Sequence, residues 1–103
     1  MYRVLSQAFA GSSAETTILE GSTFGRFVKE IWICNTGSNA TVSIALVQPG
    51  YAVDDSHLIL HDYAINAATD RQIVFDDPID LGIGGFISAN ASTATVAVTV
   101  IGR

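Results

Sequence analysis

The sequence has few of the residues from which reactive or cross-linked sites are built. Only one of its 103 residues is a cysteine, so no internal disulfide can form and packing must hold the fold. No apolar run approaches the roughly 20 residues that span a bilayer. Residues 1–7 lack the apolar core of about 7 to 15 residues that signal peptides carry. We therefore expect a soluble protein, made in the cytoplasm, with no membrane partner.

Basic residues are also scarce. Five Lys and Arg stand against ten Asp and Glu, which gives a net charge of -5. Phosphate binding depends on clustered cations, whereas these five are scattered along the chain, so we expect no nucleic-acid partner. They are Arg3, Arg26, Lys29, Arg71 and Arg103.

Apolar residues, in contrast, are abundant. Hydrophobic residues make up 49 % of the chain and charged residues only 15 %, against about 25 % charged in an average globular protein. A chain of this length forms one domain, residues 1–103. Such a domain is expected to pack a dense core and to leave apolar surface for partner subunits.

Hydrophobic residues recur with period two, the period of β-strands. Residues 41–47 place Val42, Ile44 and Leu46 on one face, and residues 93–100 repeat the pattern with Val96 and Val98. About eight strands at short spacing, without a convincing helix, predict an all-β protein that is either a two-sheet sandwich or a small barrel. The predicted strands are residues 4–9, 16–19, 24–35, 41–47, 58–65, 72–75, 86–89 and 93–100.

Residues 31–47 predict a β-hairpin around an Asn-Thr-Gly-Ser-Asn loop. Cys34 and Trp32 lie in its strongly apolar first strand, where we expect both side chains in the core. Two N-x-[ST] triplets begin at Asn39 and Asn90. We attribute both to turns, because asparagine suits turn geometry and we see no route to glycosylation.

His57 and His61 raise the possibility of a metal site, with acidic residues close by. In a strand, residues four apart lie roughly 13 Å from each other, too far to hold one ion. In a helix they could chelate, but the intervening residues 58–60 supply no Glu base. The acidic residues 76–80 lack the spacing of a calcium loop and predict a turn. We expect no metal ligand here.

Other catalytic and cofactor signals are equally weak. The glycines of residues 81–86 are followed by a strand pattern instead of a helix, so they predict a tight corner and no phosphate loop. Residues 49–55 form the longest irregular stretch and could hold one helical turn capped by Asp54, Asp55 or Ser56. No Ser-His-Asp pattern or paired carboxylates stand out. We expect no catalytic residue, no cofactor and no enzymatic activity.

Several segments, taken in order, resemble small virion proteins of tailed bacteriophages. The resemblance covers roughly residues 16–101, and its most recognisable part is residues 27–37 followed by the strand of residues 40–47. A Leu-rich strand, a polar turn, an apolar-Leu-Gly corner and a final Ala/Thr/Val strand follow in the same order. The matching segments are residues 17–19, 21–23, 27–37, 40–47, 58–65, 66–70, 79–86 and 94–101.

This resemblance implies a β-sandwich of jelly-roll type that serves in assembly. The expected function is a capsid decoration, or cement, protein. It would be a homotrimer, made in the bacterial host cytoplasm, that binds the major capsid protein or another virion protein in the virion. The loop of residues 48–55 is longer and more acidic than a plain hairpin requires. It contributes to a candidate contact set for a partner or a glycan, which consists of Tyr51, Asp54, Asp55 and Tyr63.

A tail-fibre or adaptor module that binds host-surface carbohydrate is the alternative. Sugar sites combine an exposed aromatic ring with polar groups, and Tyr51, Tyr63 or Trp32 could supply the ring. The mid-strand position of Trp32 argues against its use there.

Overall fold

The chain is built of β-strands and the loops that join them. A computed structural model describes residues 1–12, 15–22 and 25–103, and within them it contains nine strands and one short 3-10 turn, Asp55–His57. The predicted all-β class is confirmed. The strands are β1 Arg3–Phe9, β2 Gly11–Ser12, β3 Thr16–Glu20, β4 Phe27–Asn35, β5 Ala40–Val47, β6 Leu58–Ile65, β7 Asp70–Asp80, β8 Phe86–Ala91 and β9 Val96–Gly102.

The strands form two sheets in jelly-roll order. The four-stranded sheet has the order β1-β9-β4-β7, and the five-stranded sheet has the order β2-β8-β5-β6 with β3 paired to β8. Apart from the two-residue β2, all neighbouring strands are antiparallel. Among the eight long strands, one sheet holds the first, eighth, third and sixth, and the other holds the second, seventh, fourth and fifth. This alternation between sheets is that of a jelly roll, so the expected sandwich is confirmed and the barrel is excluded.

The core lies between the sheets and follows from the period-two pattern. Ile31 and Ile33 of β4 face Ile44 of β5 and its neighbours across the sandwich, and all three are fully buried. Val96 and Val98 of β9 are also fully buried. Each such side chain contributes roughly 1.5 to 3 kcal/mol by leaving water, which is how a domain without a disulfide remains folded.

Residues 31–47 do not form the predicted hairpin. β4 pairs with β7 and β9, whereas β5 pairs with β6 and β8, so the two strands lie in different sheets. The four residues 36–39 cross between sheets that pack about 10 Å apart, a distance that four extended residues can span. Both strands have apolar inner faces, and these faces pack against each other. The segment is therefore a corner of the sandwich.

Asn35 holds this corner from within. Its side chain is fully buried, and its Nδ2 donates to the carbonyls of Ser38 (2.7 Å) and Ile65 (3.0 Å). Its Oδ1 accepts from the backbone N-H of Gly37 (3.0 Å) and from Thr95 Oγ1 (2.9 Å). A Cβ atom on residue 37 would lie 2.6 Å from the Thr95 side chain, so only glycine fits there. One amide thus joins three loops at the same end of the sandwich.

Residues 76–80 are part of β7 and do not form the predicted turn. The pairing register with β4 shifts at Lys29, which stands opposite the four residues 75–78. The Lys29 ammonium donates to the carbonyls of Phe75 (2.5 Å) and Asp76 (2.8 Å), which the bulge leaves without a ladder partner. The strand therefore continues through the acidic segment and its proline because a neighbouring side chain replaces the missing backbone partners.

Other boundaries differ locally from the prediction. Asn90 lies within β8, opposite Ser43 of β5, and not in a turn, whereas Asn39 does lie in a bend. The last strand begins at Val96 and not at residue 93. Phe24, the predicted start of the third strand, lies outside the described residues. The predicted corner at residues 81–86 is confirmed, with Gly84 at φ 85°.

We expect Asn35→Ala to lower the free energy of unfolding by about 2 to 4 kcal/mol, because it leaves several buried backbone groups unpaired at about 1 to 3 kcal/mol each. Asn39 is the matched control, since its Oδ1 accepts only from the Ala67 N-H and is exposed to solvent. Asn39→Ala should cost less than about 1 kcal/mol. Urea unfolding followed by circular dichroism measures both. Equal losses in the two variants would contradict the role assigned to Asn35.

Candidate functional site

The two outer faces of the sandwich differ in how they are covered. On the five-stranded sheet, the segment of residues 48–57 folds back over β5, where the outward-facing Ser43, Ala45 and Val47 are 7 %, 1 % and 0 % exposed. On the four-stranded sheet, the outward-facing Trp32 of β4 is 40 % exposed. β5 is thus buried on both of its faces, whereas β4 is buried only on its inner face.

Asp54 gives the covering segment its shape. Its carboxylate caps the 3-10 turn by accepting from the Ser56 N-H (2.8 Å) and from the Ser56 hydroxyl. Asp54, one of the three expected caps, is therefore confirmed as a cap, but the turn spans Asp55–His57 and begins only at the end of the irregular stretch 49–55. These hydrogen bonds from Ser56, followed by the attraction of His57 at 3.5 Å, outweigh a small burial effect and hold the pKa of Asp54 below its ordinary value of 3.8.

Tyr51 stands on the same segment with its ring largely in solvent. It is 60 % exposed, and it packs edge-on against the His57 ring at a centroid distance of 5.7 Å. That contact holds the aromatic ring beside the turn that Asp54 caps. Tyr51 therefore presents an exposed flat surface next to carboxylates.

A polar groove of about 290 Å³ opens beside this segment on the five-stranded sheet. Glu15 lies at its wall and accepts from the Ser88 hydroxyl (2.7 Å) and from Asn90 Nδ2 (2.8 Å), which fixes its carboxylate. Asp54 and Asp55 also line the groove. The remaining lining residues are Ser43, Val53, Leu58, His61, Asp62 and Asn90.

Asp62 enters the groove through an irregularity in β6. Its φ is 46°, in the left-handed region, and the register with β5 shifts there so that two residues of β6 stand opposite Ser43. Ser43 Oγ accepts from the Asp62 N-H (2.9 Å) and donates to Asp62 Oδ1 (3.3 Å), which stabilises the bulge. Aspartate tolerates this conformation better than most residues.

Tyr63 does not belong with the other three predicted contact residues. Its side chain packs against the core. Arg71 lies 4.8 Å over its ring and donates from Nη1 to its hydroxyl (3.3 Å). The structure brings Tyr51, Asp54 and Asp55 together and leaves Tyr63 on the inner side of β6. Glu15, which joins the groove from far along the chain, has no signal in the sequence.

The two histidines are directed at different carboxylates. His57 Nδ1 lies 3.5 Å from Asp54, and His61 Nε2 lies 3.6 Å from Asp62. Within residues 1–12, 15–22 and 25–103, no three His, Cys, Asp or Glu side chains are arranged to hold a metal ion. In the same part of the chain, no helix is long and apolar enough to cross a membrane.

Two predictions about the outer face of the four-stranded sheet are wrong. Cys34 and Trp32 were expected in the core, but both are exposed. From Ile31 to Asn35 β4 alternates between buried and exposed residues, so the buried Ile31 and Ile33 place Trp32 and Cys34 outward. The histidines lie on the other sheet and its covering turn, so Cys34 has no imidazole beside it in the described structure.

We name this surface the outer apolar face. It consists of three rows that cross the four strands, each with one outward residue from every strand. Phe9 is 57 % exposed, and Val4 and Val74 are each 53 % exposed. The twelve residues are Val4, Gln7 and Phe9 of β1, Ala97, Thr99 and Ile101 of β9, Glu30, Trp32 and Cys34 of β4, and Asp70, Gln72 and Val74 of β7.

The pKa of Asp54 predicts how the covering segment responds to acid. Because the folded carboxyl has the lower pKa, its stabilising effect is complete above pH 3.8 and disappears as the pH falls through the folded value. We expect the Ser56 amide resonance to move and its hydrogen exchange to accelerate over that interval. Asp54→Asn, which can still cap the turn, should remove the pH dependence. A Ser56 amide that titrates equally in both proteins would contradict this assignment.

Comparisons with known proteins add no relative to this description. A scan of protein-family models, a search of curated proteins and a search of solved structures each found no match for the chain.

Proposed function

We propose that this protein is a non-enzymatic accessory component of a tailed-bacteriophage virion, a decoration protein that binds the major capsid protein as a homo-oligomer. The observation that carries the proposal is the uncovered outer apolar face, on a domain that covers the central strand β5 of its other sheet with its own chain. An exposed surface rich in apolar side chains on a small domain is typical of a protein that functions in an assembly.

The fold agrees with the resemblance. Jelly rolls are common in viral capsid proteins. The resemblance of residues 16–101 to phage virion proteins implied this fold, and the strand order is that of a jelly roll. This agreement supports the proposal, to which the resemblance adds a homotrimer as the expected oligomer.

The arrangement of chemical groups supports a non-enzymatic function. Cys34 is on one outer face and both histidines are on the other sheet or its covering turn. Two hydrogen bonds hold the Glu15 carboxylate in place, which suits a group that binds a ligand. Nucleophile and base are thus kept apart among the described residues.

Assembly also suits the energetics of the chain. A domain of 103 residues buries a modest share of its unfolded surface and has no disulfide to stabilise it. Binding to a capsid stabilises whatever folded form is bound, by an amount that grows with occupancy. A cement protein and its capsid would therefore stabilise each other.

Cosedimentation tests the proposal. Mature capsids of the phage that encodes this chain, prepared without the protein, are mixed with the purified chain and centrifuged. We expect binding that saturates at a fixed number of copies per capsid subunit and a rise in the temperature at which the capsids rupture. An unrelated acidic protein of similar size is the control. Failure to cosediment with any capsid form would overturn the proposal.

A second candidate function is carbohydrate binding by a tail-fibre or adaptor module, and the groove favours it. Exposed Tyr51 stands beside a groove whose carboxylates, amide and hydroxyl can bind sugar hydroxyls. Its volume of about 290 Å³ is at the small end of ligand sites, enough for one sugar unit.

A glycan array followed by titration calorimetry tests this second candidate. We expect Tyr51→Ala to weaken binding of a host-surface glycan by about tenfold or more, as loss of an aromatic stacking contact would. Tyr63→Phe is the matched control, because Tyr63 lies away from the groove and loses only its contact with Arg71. Absence of glycan binding, or equal binding by both variants, would exclude this function.

A further inference from the structure

We propose that the outer apolar face is the surface on which another copy of this chain packs. This inference rests on the homo-oligomer of the proposed function and assigns its contact to named residues. Trp32 is at the centre of the face, in the row that also contains Gln7, Thr99 and Gln72. None of the described segments covers it, and Trp32 remains 40 % exposed.

The chemistry of the face is that of an interface core. The row of Phe9, Ala97 and Cys34 and the row of Val4, Ile101 and Val74 lie on either side of the Trp32 row. Large aromatic residues are enriched at the centres of interfaces, and charged residues are depleted there. The face has both properties, because its two carboxylates lie near its border.

The polar groups on the face are already paired or peripheral. Gln72 Nε2 donates to the Glu30 carboxylate, and Gln7 Nε2 donates to Thr99 Oγ1 (3.3 Å). Covering these side chains therefore leaves few donors or acceptors without a partner. Asp70 lies at the end of β7, where it can stay in water while the centre is covered.

The area of the face fits a contact between copies. Four strands about 4.8 Å apart and three rows about 6.7 Å apart span roughly 19 by 20 Å. Projecting side chains raise the accessible area to on the order of 600 Å² per copy, near the lower limit for stable complexes. We therefore expect association that depends on concentration in the micromolar range.

Electrostatic repulsion between identical chains is weaker at this face than at the opposite one. With a net charge of -5, two copies repel each other. The groove side carries Glu15, Asp54, Asp55 and Asp62, so two groove sides would repel most strongly. The centre of the outer apolar face has no charge, so copies approach there with the least repulsion. Added salt should therefore strengthen the association or leave it unchanged.

The chain supplies its own probes for the experiment. Cys34 is the only cysteine and Trp32 the only tryptophan, and both are on the face. Light scattering after size exclusion gives the number of copies, the rate of maleimide labelling reports coverage of Cys34, and tryptophan emission reports coverage of Trp32. The freshly reduced protein is measured from about 1 µM to about 500 µM, a range that brackets micromolar dissociation constants.

With increasing concentration, we expect an oligomer to form. The labelling of Cys34 should slow by about tenfold when about nine-tenths of the chains are associated. The tryptophan emission should shift to the blue. Trp32→Gln and, separately, Val74→Gln should weaken association by at least tenfold while the circular dichroism spectrum is retained, since both residues are exposed. Ile83→Gln is the matched control, because Ile83 is 61 % exposed on a turn outside the face.

Three results would overturn the assignment: a monomer at the highest concentration, an oligomer in which Cys34 is labelled as fast as in the monomer, or an Ile83→Gln effect equal to that of Trp32→Gln. Capsid binding is measured separately. An oligomer that covers Cys34 but does not bind capsids supports this inference and contradicts only the decoration function. If the protein is a monomer that binds capsids through Trp32, the outer apolar face binds the capsid protein instead of a second copy, and this inference is contradicted.

Discussion

The buried amide of Asn35 is the constraint on which one whole end of the sandwich depends. An amide taken out of water is stable only when its donors and acceptor are all paired, so the three loops that supply its partners must take their native shapes together. Those loops carry the chain from β4 to β5, from β6 to β7 and from β8 to β9. The same side chain thereby fixes how the sheets are joined.

Much of the fold follows from the sequence because side chains in strands alternate. Seven of the eight predicted long strands coincide closely with observed ones, and the valines of β9 face inward as expected. The failures have specific causes. Short apolar strands do not reveal their pairing partners, so the crossing at residues 36–39 resembled a hairpin. The proline and carboxylates of residues 76–80 resembled a turn, because the compensating Lys29 is 46 residues away from Phe75.

The candidate site was predictable only in part. Tyr51, Asp54 and Asp55 are neighbours in sequence and remain together, whereas Glu15 and Asn90 join them only through strand pairing. The sequence does not reveal the exposure of Trp32 and Cys34, because apolar residues in a strand are usually buried. Alternation placed them opposite Ile31 and Ile33, and a sheet face with no covering segment leaves such residues in water. Which face is covered depends on the path of residues 48–57, and no local pattern specifies that path.

The bulge beside Lys29 has a consequence for the exposed edge of the four-stranded sheet. β7 is an edge strand, and a long regular edge would offer its free backbone groups to further chains and so template fibres. The extra residues, the proline and the two carboxylates at 76–77 interrupt that edge, and the lysine occupies its carbonyls. Pairing of a further strand along this edge, which would be the start of a fibre, is thereby disfavoured.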